Sequence, residues 1–249
     1  MLYCVGRIET GSEKPMNRIS VFTMAVVAVI LFATAVSAQA DRLTALEIFE
    51  GMIYYENDQL ETNPRITDYY CIKTETMVRT RSATQEIVVK DIYFMVPGYY
   101  LEMIGENPAF YRDVTDVGNH LMIVDLGKLR DERVNGIDCY VIQMAPKDPA
   151  YKKYVKTYYV AKDDFRKIKT VSLNANDEMD DLKTEITYSY GEFDGFRLLS
   201  GEEAVWTDKD GNTLATVTTV YSDYEFNVGL DDKFFASHRE GKTVIPPLT

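Results

Sequence analysis

Apolar and polar residues alternate most cleanly between Leu182 and Phe226. Leu182, Ile186, Tyr188 and Tyr190 share one parity, while Lys183, Glu185, Thr187 and Ser189 share the other. That period of two predicts a strand with one dry face. The GEFDG segment, Gly191 to Gly195, supplies turn residues, and Phe196 to Trp206 reads as a second strand. The DKDGN turn follows, and Thr213 to Tyr224 returns as a third strand, rich in the β-branched and aromatic residues that suit a pleated surface. Upstream, Asp41 to Gln59 changes period. Leu43, Leu46, Phe49, Met52 and Ile53 fall at helical spacing with Asp41 as the candidate N-cap, which predicts an amphipathic helix.

Between these regions the pattern predicts strands over Thr67 to Arg81, Glu86 to Met95 and Tyr99 to Ile104, the last two separated by Val96-Pro97-Gly98. Further strands fall at Leu121 to Val124, Ile137 to Met144 after an Asn135-Gly136 turn, Thr157 to Ala161 and Ile168 to Leu173. Lys147 to Lys156 reads as a loop or short helix. The prediction is an α+β, mainly β chain: one N-terminal helix, then about ten antiparallel strands. A one-sided sheet of that length exposes more apolar surface than one helix can cover.

The first 40 residues read as an address. Lys14 and Arg18 precede an apolar run, Ile19 to Ala35, and Ala38-Gln39-Ala40 has the small residues of a cleavage site. Residues 1–40 are therefore expected to be a cleaved signal peptide with an N-terminal extension, and 41–249 a single domain exported from the cytoplasm. An uncleaved membrane anchor is the alternative. Without Arg7, Lys14, Arg18, Glu9 and Glu13 the net charge moves from -12 to -13. That acidity argues against nucleic acid and anionic membrane surfaces as partners.

Cys71 and Cys139 follow the leader. In an oxidising compartment they are a candidate disulfide, and two buried thiols are the other reading. The acidic NANDEMDD turn, Asn174 to Asp181, has Met179 where a calcium loop needs Gly, so it reads as a solvated turn. His120 and His238 stand in no metal or nucleophile motif, and no hydrolase, kinase or phosphate-binding signature occurs. Neither catalysis nor a cofactor or metal is expected.

The order of features carries a resemblance. The leader, the amphipathic helix, the Pro-interrupted strand YFMVPGYYLEMI, the segment RVNGIDCYVIQMAPK, the acidic turn and the closing YEFNVGLDDKFF resemble the LolA/LolB-like superfamily of periplasmic carriers, and within it the outer membrane lipoprotein-sorting branch. That resemblance implies an unclosed antiparallel β-barrel with helices against its concave face, in a periplasmic, monomeric, non-catalytic protein. Its expected function is to shield the acyl chains of a lipid or lipoprotein in a hydrophobic cavity and carry them between an inner-membrane exporter and an outer-membrane acceptor. An envelope-stress sensor that binds lipid and a membrane regulator is the alternative. The resemblance departs at Val96, where the superfamily's best-known carrier has an arginine that latches its lid, so that latch is not implied here. By parity, Tyr70, Ile72, Phe94, Val96, Tyr100, Ile186, Tyr188, Trp206 and Val217 are the expected cavity lining.

Overall fold

The computed structural model describes residues 43–61, 66–96, 98–113, 123–151, 154–176 and 179–239. The predicted leader, Asp41, Pro97, His120 and the tip of the acidic turn lie outside them. No helix among the described residues is long and apolar enough to cross a membrane.

The first helix, α1 (Ala45–Glu61), is started by Thr44. The Thr44 amide and hydroxyl both donate to Glu47 Oε2, at 2.7 and 2.8 Å, and the Glu47 amide donates back to Thr44 Oγ1 at 3.2 Å. This reciprocal capping box satisfies helix-end donors. Thr44-Ala45-Leu46-Glu47 thus supplies the start signal, three residues after the expected one at Asp41. Ile48, Phe49, Met52 and Tyr55 form the buried stripe of the helix.

Twelve strands follow: β1 (Asp68–Arg79), β2 (Thr84–Met95), β3 (Tyr99–Ile104), β4 (Asn107–Asp113), β5 (Val124–Lys128), β6 (Glu132–Val134), β7 (Ile137–Pro146), β8 (Val155–Ala161), β9 (Lys167–Asn176), β10 (Met179–Phe193), β11 (Phe196–Thr207) and β12 (Thr213–Phe226). A second helix, α2 (Asp232–Arg239), closes the described chain. The pattern of residues reveals nine of these strands in outline, while the strand expected at Leu121 to Val124 meets β5 only at Val124, Leu121 and Met122 lying outside the described residues. It misses β4 and the short β6, whose sequences NPAFYRD and ERV do not alternate, and it misses α2, which is a two-turn helix. The turns stand where their residues place them. Asn135 and Gly136 both have positive φ, 51° and 83°, as the two-residue hairpin between β6 and β7 requires.

All strands pair antiparallel in the order β4-β3-β2-β1-β12-β11-β10-β9-β8-β7-β5, with β6 also on β7. The ends, β4 and β5, are not joined, so the sheet is an unclosed barrel. Helix α1 sits on one face, called the inner face below. It packs most closely on β5, β7 and β11 and also touches β8 and β10. Phe49 meets Tyr158 edge to face, Tyr55 meets Tyr190, and the Tyr55 hydroxyl donates to the Arg197 carbonyl at 3.1 Å. Gly51 makes room for Phe165 from the β8–β9 turn, whose ring carbon lies 2.8 Å from where a Cβ would stand. Helix α2 packs on the other, outer face, where Phe235 is buried among Met95, Leu101 and Met103. These alternate with Phe94, Tyr100 and Glu102, which point inward.

Candidate functional site: the half-covered concave face

Register places the inner-face residues in rows across the sheet. One row runs Ile142–Tyr158–Thr170–Ile186–Ala204–Val217–Met77, from β7 to β1. Its β7–β8 end lies under α1. Its other half, Ile186, Ala204, Val217 and Met77, is only half-buried, and so is Trp206 beside it. Cross-strand apolar neighbours of this kind ordinarily face a core. Here they stay partly exposed among the described residues.

Next along the strands comes a polar layer. Lys73 Nζ lies 2.9 Å from both Glu75 and Glu102, and Lys90 Nζ lies 2.9 Å from Glu75 and 3.0 Å from Glu102. The Tyr100 hydroxyl donates to Glu102 at 2.8 Å, and that of Tyr221 donates to Glu202 at 3.0 Å. Burial disfavours the charge on Lys73, yet Glu102 and Glu75 outweigh it and hold its pKa above the ordinary lysine value. Burial likewise opposes ionisation of Glu75 and Glu102, but Lys73 and Lys90 hold both below the usual carboxylate range. The four groups form a closed ring of alternating charge. Burial, and then the Glu202 carboxylate, raise the Tyr221 phenol far above its usual value, which keeps it a neutral donor.

Beyond this layer lies an aromatic cluster of Tyr69, Phe94, Phe196 and Tyr221 around Cys71, Ile92 and Leu198. A cavity of about 170 Å³ opens between cluster and polar layer, lined by Cys71, Tyr100, Glu102, Lys167, Glu202 and Tyr224 among others. It is smaller than the ~300 Å³ at which small-molecule pockets usually begin. An extended ligand therefore needs the open part of the inner face as well.

The expected lining residues divide. Ile186, Trp206 and Val217 stand together on the uncovered patch, and Tyr188 and Tyr100 stand at the polar layer. Phe94 is buried inside the aromatic cluster, with Val96 packed against it. Tyr70 and Ile72 point to the outer face, because Tyr69, Cys71 and Lys73 take the inner parity of β1. Tyr70 donates to Asp91 at 2.7 Å and packs on Tyr93 there. The run Tyr69-Tyr70-Cys71-Ile72 is apolar on both parities, and a register shift opposite it, with Asp223 at positive φ, removes the cue that would choose between them.

The disulfide reading is corrected: Cys71 and Cys139 are free, buried thiols. Cys71 lies on β1 and faces inward, while Cys139 lies on β7 and packs outward against Ala161 and Ile168. Strands β12, β11, β10, β9 and β8 lie between them. A bridge needs Cα atoms within ~7 Å, about one and a half strand spacings. Among the described residues no group of His, Cys, Asp or Glu is arranged to hold a metal ion. His238 sits on α2, its Nδ1 2.7 Å from the Phe234 carbonyl.

Fold and site together define an unclosed antiparallel barrel with a helix over part of its concave face, as the resemblance to the LolA/LolB-like superfamily implies. A family model described as "-like: Uncharacterized protein" matches residues 105–239, more than half of the chain, and the chain belongs to that family. Among solved structures, a DUF1329 family protein from Desulfovibrio piger is 15% identical, with a TM-score of 0.50, over 76% of this chain and 96% of its own. That likeness is one of fold. A LolA superfamily protein from Nitrosomonas europaea is 16% identical with a TM-score of 0.46, over 78% of this chain and 97% of its own. A domain described as an outer membrane lipoprotein-sorting protein, from Vibrio parahaemolyticus, is 11% identical with a TM-score of 0.45, over 76% and 97%. The comparison with curated proteins found no match.

Proposed function

We propose that this chain is a non-catalytic carrier of the bacterial envelope that shelters an acyl chain of a lipid or lipoprotein on its inner face and moves it from an inner-membrane donor to an outer-membrane acceptor. The observation that carries this reading is the half-buried apolar row of Ile186, Ala204, Val217 and Met77, with Trp206 beside it, on a face that α1 covers only in part. An apolar surface with a wall on one side, left half-exposed among the described residues, has the form of an acyl-chain groove. Each CH₂ moved from water onto it contributes about 0.8 kcal/mol, so one chain gives useful affinity without any polar motif. The buried charged ring, which is internally neutral, limits how far the chain can slide toward the aromatic cluster.

The test is uptake of a fluorescent long-chain fatty acid by the purified protein, together with native mass spectrometry and lipid extraction of protein taken gently from its host. Ile186→Asp places a carboxylate in the groove and is expected to weaken uptake by more than tenfold, from the cost of burying a charge against an acyl chain. Glu185→Ala on the outer face, where Glu185 pairs with Lys169 and Lys183, is expected to leave it unchanged. Equal effects of the two substitutions would remove the groove from this face. No bound lipid and no uptake would end the carrier reading.

A further inference from the structure

Next to the apolar row runs a parallel one, Met144–Lys156–Ser172–Thr184–Trp206–Ala215, and its second member is a lysine. Lys156 lies two residues before Tyr158, which touches α1, so its side chain rises from the same inner face. It is half-buried and forms no ion pair among the described residues. This is unlike Lys73 and Lys90, which share two carboxylates. One row beyond the apolar one, Lys167 projects into the cavity with its ammonium 4.7 Å from the centre of the Tyr188 ring. Between the two cations stand hydroxyls: Thr170 and Tyr188, 3.2 Å apart, and the buried Ser172. Glu202, which accepts from the Tyr221 hydroxyl, lines the same cavity as Lys167, and no carboxylate among the described residues pairs with Lys156.

A half-buried ammonium with no counter-charge among the described residues, in a chain of net charge -12, is an uncommon arrangement. Burial, and then the nearby charge of Lys167, lower its pKa to about 8, so it is still mostly charged at neutral pH but costly to keep so. An anion placed between Lys156 and Lys167 removes that cost and finds hydroxyl donors around it.

Resting on the carrier reading, we propose that Lys156, with Lys167, forms a headgroup site that selects cargo with an anionic head, a carboxylate or a phosphate, attached to the acyl chain that lies over Ile186 and Val217. The two lysines flank the apolar row, so head and tail of one amphiphile fit together on this part of the sheet.

The experiment compares a long-chain fatty acid with the primary alcohol of the same chain, both by fluorescence displacement at pH 7, on the wild-type chain, Lys156→Gln and Lys156→Arg. The acid is expected to bind about tenfold more tightly than the alcohol in the wild type, the size of one charge-assisted hydrogen bond. Lys156→Gln is expected to abolish that preference while leaving alcohol binding intact, which also shows that the variant is folded. Lys156→Arg is expected to keep it. Equal affinity for acid and alcohol in the wild type would overturn the headgroup site and leave the groove standing, whereas binding of neither would overturn the groove itself. Displacement of the acid, but not of the alcohol, by millimolar inorganic phosphate would make this a site for free anions and overturn its assignment to a lipid head.

Discussion

Lys73 and Lys156 rise from the same inner face of the same sheet, and their surroundings are opposite. Lys73 is almost fully buried, yet two glutamates hold it, and its pKa lies above the ordinary value. Lys156 is less buried, has no carboxylate against it among the described residues, and its pKa falls to about 8. Depth therefore does not decide the charge state; the partner does. The first lysine completes a neutral ring that closes one end of the face. The second leaves a positive field beside an uncovered apolar row. A fold seeking only stability has no use for the second arrangement, and sites that cost stability are where function concentrates.

The sharpest way to break the comparison is to take the partner away from Lys73. Glu102→Leu removes the carboxylate that bonds Lys73, Lys90 and the Tyr100 hydroxyl, and leaves two buried ammoniums to share Glu75. The expected loss is about 3–5 kcal/mol in urea unfolding, as for other broken buried pairs. The wild type has a milder form of the same effect. Glu75 and Glu102 titrate below their unfolded values, so their contribution is present above the ordinary carboxylate pKa and is lost as pH falls through the lower, folded value. A loss below 1 kcal/mol for Glu102→Leu would show the ring to be dispensable and the contrast with Lys156 to be empty.

The covered half of the face can be opposed to the uncovered half in the same way. Gly51→Val drives a branched side chain into the Phe165 ring, which stacks on Tyr140 and is held at a φ of 63° by its own turn. Neither the helix nor the turn has room to give, and about 1–3 kcal/mol of stability is expected to be lost. Val217→Ala, on the uncovered half, removes fewer contacts and is expected to cost under about 1 kcal/mol. If the two cost the same in thermal melts, a neighbour covers Val217 as fully as α1 covers Tyr158.

How much of this was legible in the residues follows from where alternation is pure. Leu182 to Tyr190 keeps its charges on one parity, and the structure has Glu185 outward in ion pairs while Ile186 and Tyr188 face in. The hairpins at Asn135-Gly136 and at Asp208 to Asn212 carry their own turn chemistry. By contrast, β1 reads Tyr69-Tyr70-Cys71-Ile72-Lys73-Thr74-Glu75, and taking its charged residues for the wet side inverts the strand. Lys73 and Glu75 share parity with Tyr69 and Cys71, and the charges are inside because β2 and β3 bring Lys90 and Glu102 to meet them. A charge on a dry parity is the signal that was available, but pairing it needed the register of three strands. Lys156 left less trace still, in a basic Tyr-rich stretch that reads as a loop or short helix until β8 gives it a face.

Lys156→Met gives a small effect as well, and its sign separates structure from function. At pH 7 the wild-type native state carries a charge that its surroundings disfavour, while the unfolded chain carries the same charge in water. Between about pH 8 and the ordinary lysine value near 10.4 the unfolded state binds more protons than the native one, so wild-type stability rises with pH across that window. Methionine keeps the length and has no charge to bury. The variant is therefore expected to be more stable than wild type at pH 7, by on the order of 1 kcal/mol once the half-exposed position is discounted for solvent screening, with the gain shrinking as pH passes from 8 to 10. A substitution that strengthens the fold and weakens binding of an anionic amphiphile is the signature of a residue kept for its ligand. If Lys156→Met instead destabilised the protein to the same degree at every pH, the stem of Lys156 would be packing against Ser172 and Thr184 for structural reasons, and the contrast with Lys73 would reduce to burial alone.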